Sequence, residues 1–205
     1  SQHHGQTVHL FTWLSGVSHP HKPHGRFVEQ LSRQKRVHSA RHRHPDLEWV
    51  ADRTQNMIII SPAIIADTLV QLALHGKGRK EIVVLWLARK EVGQAVVQRV
   101  YVPLQESGRA FFHIPPRGMQ RLFDELRPSR LMVAAQVHTH PQEAFHSPAD
   151  DHWAVLRHVG ALSLVLPCFA RDTTADTFVE QAKVYSLTQA DEWDEIPFQR
   201  DITIR

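Results

Sequence analysis

Leu131-Met132-Val133-Ala134-Ala135-Gln136-Val137-His138-Thr139-His140-Pro141, then the loop Gln142 to His146, then Ser147-Pro148-Ala149-Asp150, is the stretch on which the reading of this chain turns. The run from Leu131 to Val137 is apolar, partly β-branched and preceded by the turn signal Pro128-Ser129, so it predicts a buried strand. Side chains alternate along a strand; if this one continues through His140, His138 and His140 project from one face. Pro141 cannot donate to a sheet ladder and should end the strand. Ser147 ahead of Pro148, with an acid at the third position, reads as a helix start: a capping hydroxyl, proline at N1 and a carboxylate in the first turn. Asp150 is therefore expected in a strand-to-helix crevice beside the imidazoles.

Two nitrogens and a carboxylate match the ligand count of catalytic zinc sites, which keep a fourth position open for a water whose pKa falls to roughly 7. Two buried imidazoles side by side also need partners for several ring nitrogens, and a shared cation provides them. Hydrolysis further requires a proton acceptor and a donor for the developing oxyanion. Ser147 is the candidate donor, although its hydroxyl equally suits a helix cap. Glu81, at the head of the apolar run Ile82-Val83-Val84-Leu85-Trp86-Leu87, is the candidate acid and base. Its rival Glu91 falls in the exposed turn Lys90 to Gly93. His146 is the alternative to Asp150 as third ligand, and Asp151 is read as a supporting or surface acid.

Assembled, these residues resemble the JAMM family of metalloproteases, also called MPN-plus or JAB1/Mov34. That family's pattern is a Glu at a strand start, then His-x-His-Pro, then Ser-x-x-Asp, and it maps here onto Glu81, His138, His140, Pro141, Ser147 and Asp150. The resemblance covers residues 57 to 187 and, in its wording, is similar to bacterial JAB isopeptidases. It implies one Zn2+ per chain on His138, His140 and Asp150, with Glu81 and Ser147 as catalytic residues. It also implies an α+β, cytidine-deaminase-like sandwich with a mixed, mostly antiparallel central sheet flanked by helices. The implied activity is that of a zinc isopeptidase or peptidase. It would cut after the C-terminal tail of a ubiquitin-like or sulfur-carrier-like protein, in deconjugation or precursor processing, alongside E1/E2-like partners. The sequence departs from the pattern in a shorter loop between His140 and Ser147, in Ala88 where glycine is common, and in the bulky residues after Glu81. These departures are expected to alter substrate fit and not metal binding. The competing class is an MPN-type scaffold that binds partners with little turnover; retention of every ligand favours the enzyme.

The remaining sequence sets the frame. With 205 residues and 42% hydrophobic content, the chain has room for one ordinary domain and an extension. No apolar run approaches the roughly 20 residues of a membrane span, and no signal-peptide pattern is evident. The single Cys168 cannot form an internal disulfide, so a cytoplasmic location is the expectation. The first 56 residues hold eight basic and four acidic residues, and so account for all of the net charge of +3. They also hold nine of the 16 histidines and no sustained hydrophobic period. Residues 1–55 are accordingly read as a basic, His-rich extension, poorly ordered or an adaptor, and residues 56–205 as the catalytic domain with a short C-terminal tail. The basic stretch Arg33 to Arg43 lacks interleaved aromatics, so nucleic acid is not the expected partner.

Further elements follow from periodicity. Met57 to Ile60 reads as a strand. A helix starting at Ser61-Pro62 should bury Ile64, Ile65, Leu69, Leu72 and Ala73 and end before Gly76. Glu81 to Leu87 and Ala95 to Pro103 should form a hairpin about Gly93. A helix opened by Pro115-Pro116 should bury Met119, Leu122, Phe123 and Leu126. The helix from Pro148 is expected to run to about Gly160, carrying Trp153, Val155 and Leu156. Strands Ala161–Leu166 and Phe178–Ser186 should close the domain; the loop Ala170 to Asp176 between them lies where the family it resembles carries a variable insertion that helps hold the substrate tail, and that resemblance implies a tail added to a sheet edge beside it.

Overall fold

In the computed structural model residues 57–205 are described. The His-rich extension, its boundary and its basic stretch lie outside the described residues. In chain order the strands are β1 (Met57–Ile60), β2 (Val83–Glu91), β3 (Gln94–Tyr101), β4 (Glu106–Ser107), β5 (Phe112–His113), β6 (Met132–Thr139), β7 (Leu162–Leu166), β8 (Lys183–Leu187), β9 (Trp193–Ile196) and β10 (Ile202–Ile204). The helices are α1 (Pro62–Gly76), α2 (Pro116–Ser129), α3 (Pro148–His152), α4 (Phe178–Gln181) and α5 (Phe198–Asp201).

Eight strands form one sheet in the order β10-β1-β3-β2-β6-β7-β8-β9, with β4 and β5 as a separate small hairpin. β1 runs parallel to β10 and β3, and β6 parallel to β7, while the other four pairings are antiparallel. The sheet is thus mixed with an antiparallel majority, in an α+β chain. β2 is apolar without alternation from Val83 to Ala88 because both its faces are covered. Val84, Trp86 and Ala88 pack with Ile64, Ile65 and Leu72 of α1, whereas Val83, Leu85 and Leu87 pack with Phe112, Ile114 and Leu122 on the other side. Trp86 Nε1 donates to Thr68 Oγ1 at 2.9 Å, and that hydroxyl donates to the Ile64 carbonyl at 2.7 Å. The buried indole therefore meets the requirement for a partner.

Several expectations need correcting. Ala73 and Phe123 are exposed, at the outer flanks of their helices. α1 includes Gly76, whose missing side chain leaves room for Ile82: a Cβ there would sit 3.2 Å from its Cγ1. α3 ends at His152 instead of running toward Gly160, and the amide of Val155 is taken by Gln136 Oε1 at 2.9 Å. Val155 and Leu156 pack against the second core cluster from a loop. Residues 178–181 form one helical turn that seats Phe178 in the core, so the following strand begins only at Lys183. The presumed C-terminal tail is β9, α5 and β10, with Ile202 opposite Ile58 of β1 and Phe198 in the core. Among the described residues no helix is long and apolar enough to cross a membrane.

Candidate metal centre

β6 is flanked by β2 and β7, with His138 opposite Val83 on one side and Val165 on the other. A position so enclosed leaves His138 with 0% exposure. Val137 belongs to the core on the α1 side, so His138 turns to the other face, where its ring lies 5.2 Å from that of Phe112. The His140 ring lies 5.2 Å from the His138 ring, as the period of two requires. Thr139 ties β6 to the start of β2: its N–H donates to the Ile82 carbonyl at 3.2 Å, and its Oγ1 accepts the Ile82 N–H at 3.3 Å.

His140 stands just past the last residue of β6 and is held by other means. Its N–H donates to the Leu166 carbonyl at 2.9 Å, and its carbonyl accepts the Phe169 N–H at 2.7 Å. The Cys168 N–H reaches the Gln142 carbonyl at 2.8 Å. Both bonds come from a turn in which Cys168, Phe169 and Ala170 have φ of 52°, 55° and 55°. Three successive non-glycine residues in the left-handed region are unfavourable, by about 1–2 kcal/mol each. That strain presents two consecutive amides to the carbonyls on either side of Pro141.

Asp150 is set by a reciprocal cap. Ser147 Oγ accepts the Asp150 N–H at 3.2 Å, and Asp150 Oδ2 accepts the Ser147 N–H at 2.7 Å. The carboxylate is thereby turned toward the strand. Oδ1 lies 3.3 Å from His138 Nε2, and Oδ2 lies 3.1 Å from His140 Nε2. The three residues are all buried and offer donor atoms within 4.8 Å of one another.

These residues fit a cation. Neither ring nitrogen of His138 has a hydrogen-bond partner, a state that burial penalises unless another group engages the ring. Ligands placed about 2.0–2.1 Å from one tetrahedral centre stand roughly 3.3 Å apart, close to the imidazole–carboxylate separations found here. Burial pushes the His138 pKa down, only partly opposed by Asp150, so the ring is kept neutral as a ligand must be. Burial alone would raise Asp150, but the nearby His138 ring, the contact with His140 and the bond from the Ser147 amide hold it well below the usual carboxylate range.

Glu81 sits just ahead of β2 and is buried, with its N–H bonded to the Gly108 carbonyl at 2.8 Å. Burial raises its carboxyl to about 7; nearby His140 lowers it and Asp150 raises it. Its titration is therefore coupled to two of the three candidate ligands. Glu91 stands at the opposite end of β2, exposed and bonded to Gln94 Nε2 at 2.7 Å. His146 is outside the ligand group; its ring stacks on Trp193 at 4.6 Å and 24°, and burial pushes its pKa to about 4.

Sequence reasoning missed the supports of this centre. Trp193 Nε1 donates to Asp151 Oδ1 at 3.0 Å, and Arg157 bridges Asp151 and Asp191 at 2.5 and 2.8 Å. β9 thereby braces the loop and short helix that carry Ser147 and Asp150, from 42 residues farther along the chain. Gln105 brackets Val83 with both of its amide atoms, at 3.0 Å to the N–H and 2.8 Å to the carbonyl. No local spacing signals either contact.

The chain is 32% identical over 134 residues to "Probable metalloprotease y4jG" of Sinorhizobium fredii (strain NBRC 101917 / NGR234), an overlap of 62% of this chain and 81% of the relative. No family model matches. The fold is similar to the solution structure of protein DSY2949 from Desulfitobacterium hafniense, with a TM-score of 0.53 at 18% identity over 73% of this chain and 93% of that one.

Proposed function

Since the chain belongs to the metalloprotease family of the Sinorhizobium fredii relative, we propose that it is a zinc peptidase of the JAMM type, acting on the C-terminal tail of a ubiquitin-like or sulfur-carrier-like protein. The observation that carries this reading is the wholly buried His138, without hydrogen-bond partners, facing His140 and Asp150. His138, His140 and Asp150 would hold the ion, one per chain. When bound, it supplies Lewis-acid polarisation of the scissile carbonyl and lowers the pKa of the attacking water.

The chain's own groups supply the rest. Glu81 is the proton carrier: a carboxyl whose pKa lies near 7 can both accept a proton from water and return it to a leaving amine. Ser147 is the oxyanion donor. Its oxygen accepts the Asp150 N–H, which leaves its own proton free for a substrate oxygen. Loss of one such donor typically costs about 3 kcal/mol of barrier. The scaffold alternative is less well supported, because Glu81, His138, His140, Ser147 and Asp150 are all present.

The test compares variants of the full chain, so that metal on the histidine-rich extension is common to all samples. His138→Ala should lower zinc content by one equivalent per chain relative to the parent. Glu81→Gln should keep that equivalent and abolish cleavage of a ubiquitin-like protein bearing a C-terminal peptide extension. Unchanged zinc in His138→Ala would overturn the site, and full cleavage by Glu81→Gln would overturn the proton-carrier role.

A further inference from the structure

An open groove of about 530 Å3 runs between α1 and the turn that follows β7. Its sides are Leu69, Val70 and Ala73 of the helix against Phe169 and Ala170 of the turn, and Lys77 and Arg171 complete it toward the C-terminal end of α1. Among the described residues no acid lines it, and Val70 is 58% exposed in its apolar part. Arg171 is held in place. Its stem lies across Gly78, where a Cβ would come 2.9 Å from Cδ, and its Nε donates to the Cys168 carbonyl at 3.2 Å. Among the described residues Lys77, Arg79, Lys80 and Arg171 form no ion pair. The carbonyls at this end of α1 do not cancel their charge. That of Ala73 accepts the Lys77 N–H at 2.9 Å, and that of Gly76 accepts the Arg79 and Lys80 N–H groups at 3.0 and 3.1 Å. What remains of a helix-end dipole, about half a charge, is small beside whole cations.

We propose that this groove docks an acidic segment of a partner protein, with an apolar side chain over Leu69, Val70 and Ala73 and a carboxylate on Lys77 and Arg171. The inference goes beyond the peptidase reading, since such docking needs neither an ion nor turnover. From Leu69 to Lys77 the helix rises about 12 Å, the span of roughly four extended residues. The apolar and acidic groups of the segment therefore stand about three positions apart. A guanidinium fixed before binding offers its fork to a carboxylate with little further ordering. An open groove also suits a chain that passes through it better than a small molecule, which needs enclosure. Charge selects among occupants. The chain's own first 56 residues hold eight basic and four acidic residues, and the whole chain is net +3, so neither that extension nor a second copy supplies the complementary field. The docked segment would stand against the turn that clamps the metal centre, because Phe169 gives its N–H to the His140 carbonyl.

The test uses the full chain and the synthetic peptide acetyl-Glu-Ala-Ala-Leu-Ala-Ala-Glu-amide, whose leucine has a carboxylate three positions away in either chain direction. In amide NMR spectra, residues 69–78 and 169–173 should shift on titration. Glutamine in place of both glutamates should weaken binding about 3- to 5-fold, and alanine in place of leucine about 5-fold or more. Lys77→Gln and Arg171→Gln should each weaken it about 3-fold at an unchanged thermal midpoint. The double variant Lys77→Glu, Arg171→Glu should instead prefer the peptide with lysines for glutamates, an exchange that a merely structural role does not produce. Absence of shifts at millimolar peptide, shifts confined to other residues, or an affinity unmoved by both single substitutions would overturn the proposal. Chelation of zinc should leave peptide binding as it was; loss of binding would place the peptide at the metal centre and sink the groove. If the groove amides shift with protein concentration alone and sedimentation shows a dimer, the occupant is a second copy and the proposal is wrong.

Discussion

At Glu81 and His138 the same burial acts on groups of opposite charge type. Glu81 is held up to about 7, above its ordinary value of 4.5, and His138 is pushed below its ordinary 6.5. The stability consequence of Glu81 has a definite sign in metal-free protein. Below pH 4.5 the group is protonated whether the chain is folded or not, and its contribution is fully present. As pH rises toward 7 the unfolded chain ionises first, and stability is lost until the folded group also ionises. His138 works the other way, losing stability as pH falls below 6.5, but it does so in parent and variant alike. The difference in unfolding free energy between Glu81→Gln and the parent, from urea titrations at pH 4.5 to 8, should therefore grow in favour of the variant up to about pH 7. It should then level off; a flat difference would show that Glu81 is solvated.

Among the elements, the strand that bears the two histidines and the cap that holds Asp150 were legible in the sequence because both depend on near neighbours. His138 and His140 share a face by strand alternation, and Ser147 and Asp150 cap one another across three residues. The clamp on His140 was not legible, since Cys168-Phe169-Ala170 contains no glycine to signal a left-handed turn. It forms only because β7 ends beside β6 and its amides find the His140 and Gln142 carbonyls. Relief of this strain should be measurable. Ala170 uses its amide on the Pro167 carbonyl, a bond that glycine retains. Ala170→Gly should therefore raise stability by about 1 kcal/mol, seen as a higher midpoint in urea with an unchanged slope. Loss of stability would mean that the left-handed geometry carries no strain at that residue. The truncated α3 illustrates the converse: its apolar continuation suggested helix, but Gln136 in the sheet takes the Val155 amide.

For the molecule as a whole, the last twelve or so residues decide whether the sheet is complete. β10 pairs with β1 at one edge, β9 with β8 at the other, and Ile196, Phe198 and Ile202 are buried. Removing residues 193–205 exposes partners of three buried apolar side chains worth about 1.5–3 kcal/mol each, and it deletes the Trp193 brace on Asp151. The expected result is loss of cooperative unfolding, or destabilisation by at least about 4 kcal/mol in chemical denaturation. A truncated chain as stable as the parent would restore the reading of this segment as a tail. Sequence by itself determined the α+β class, the hairpin of β2 and β3, and the His138, His140, Ser147 and Asp150 cluster. Each of these rests on periodicity or capping within a few residues. Only the tertiary structure decided that Glu81 lies close enough to the cluster to be shifted by it, that His146 stacks on Trp193, and that the C-terminal strand joins the sheet beside β1. Those depend on strands distant in the chain meeting across the sheet, which burial of apolar area drives and local spacing does not encode.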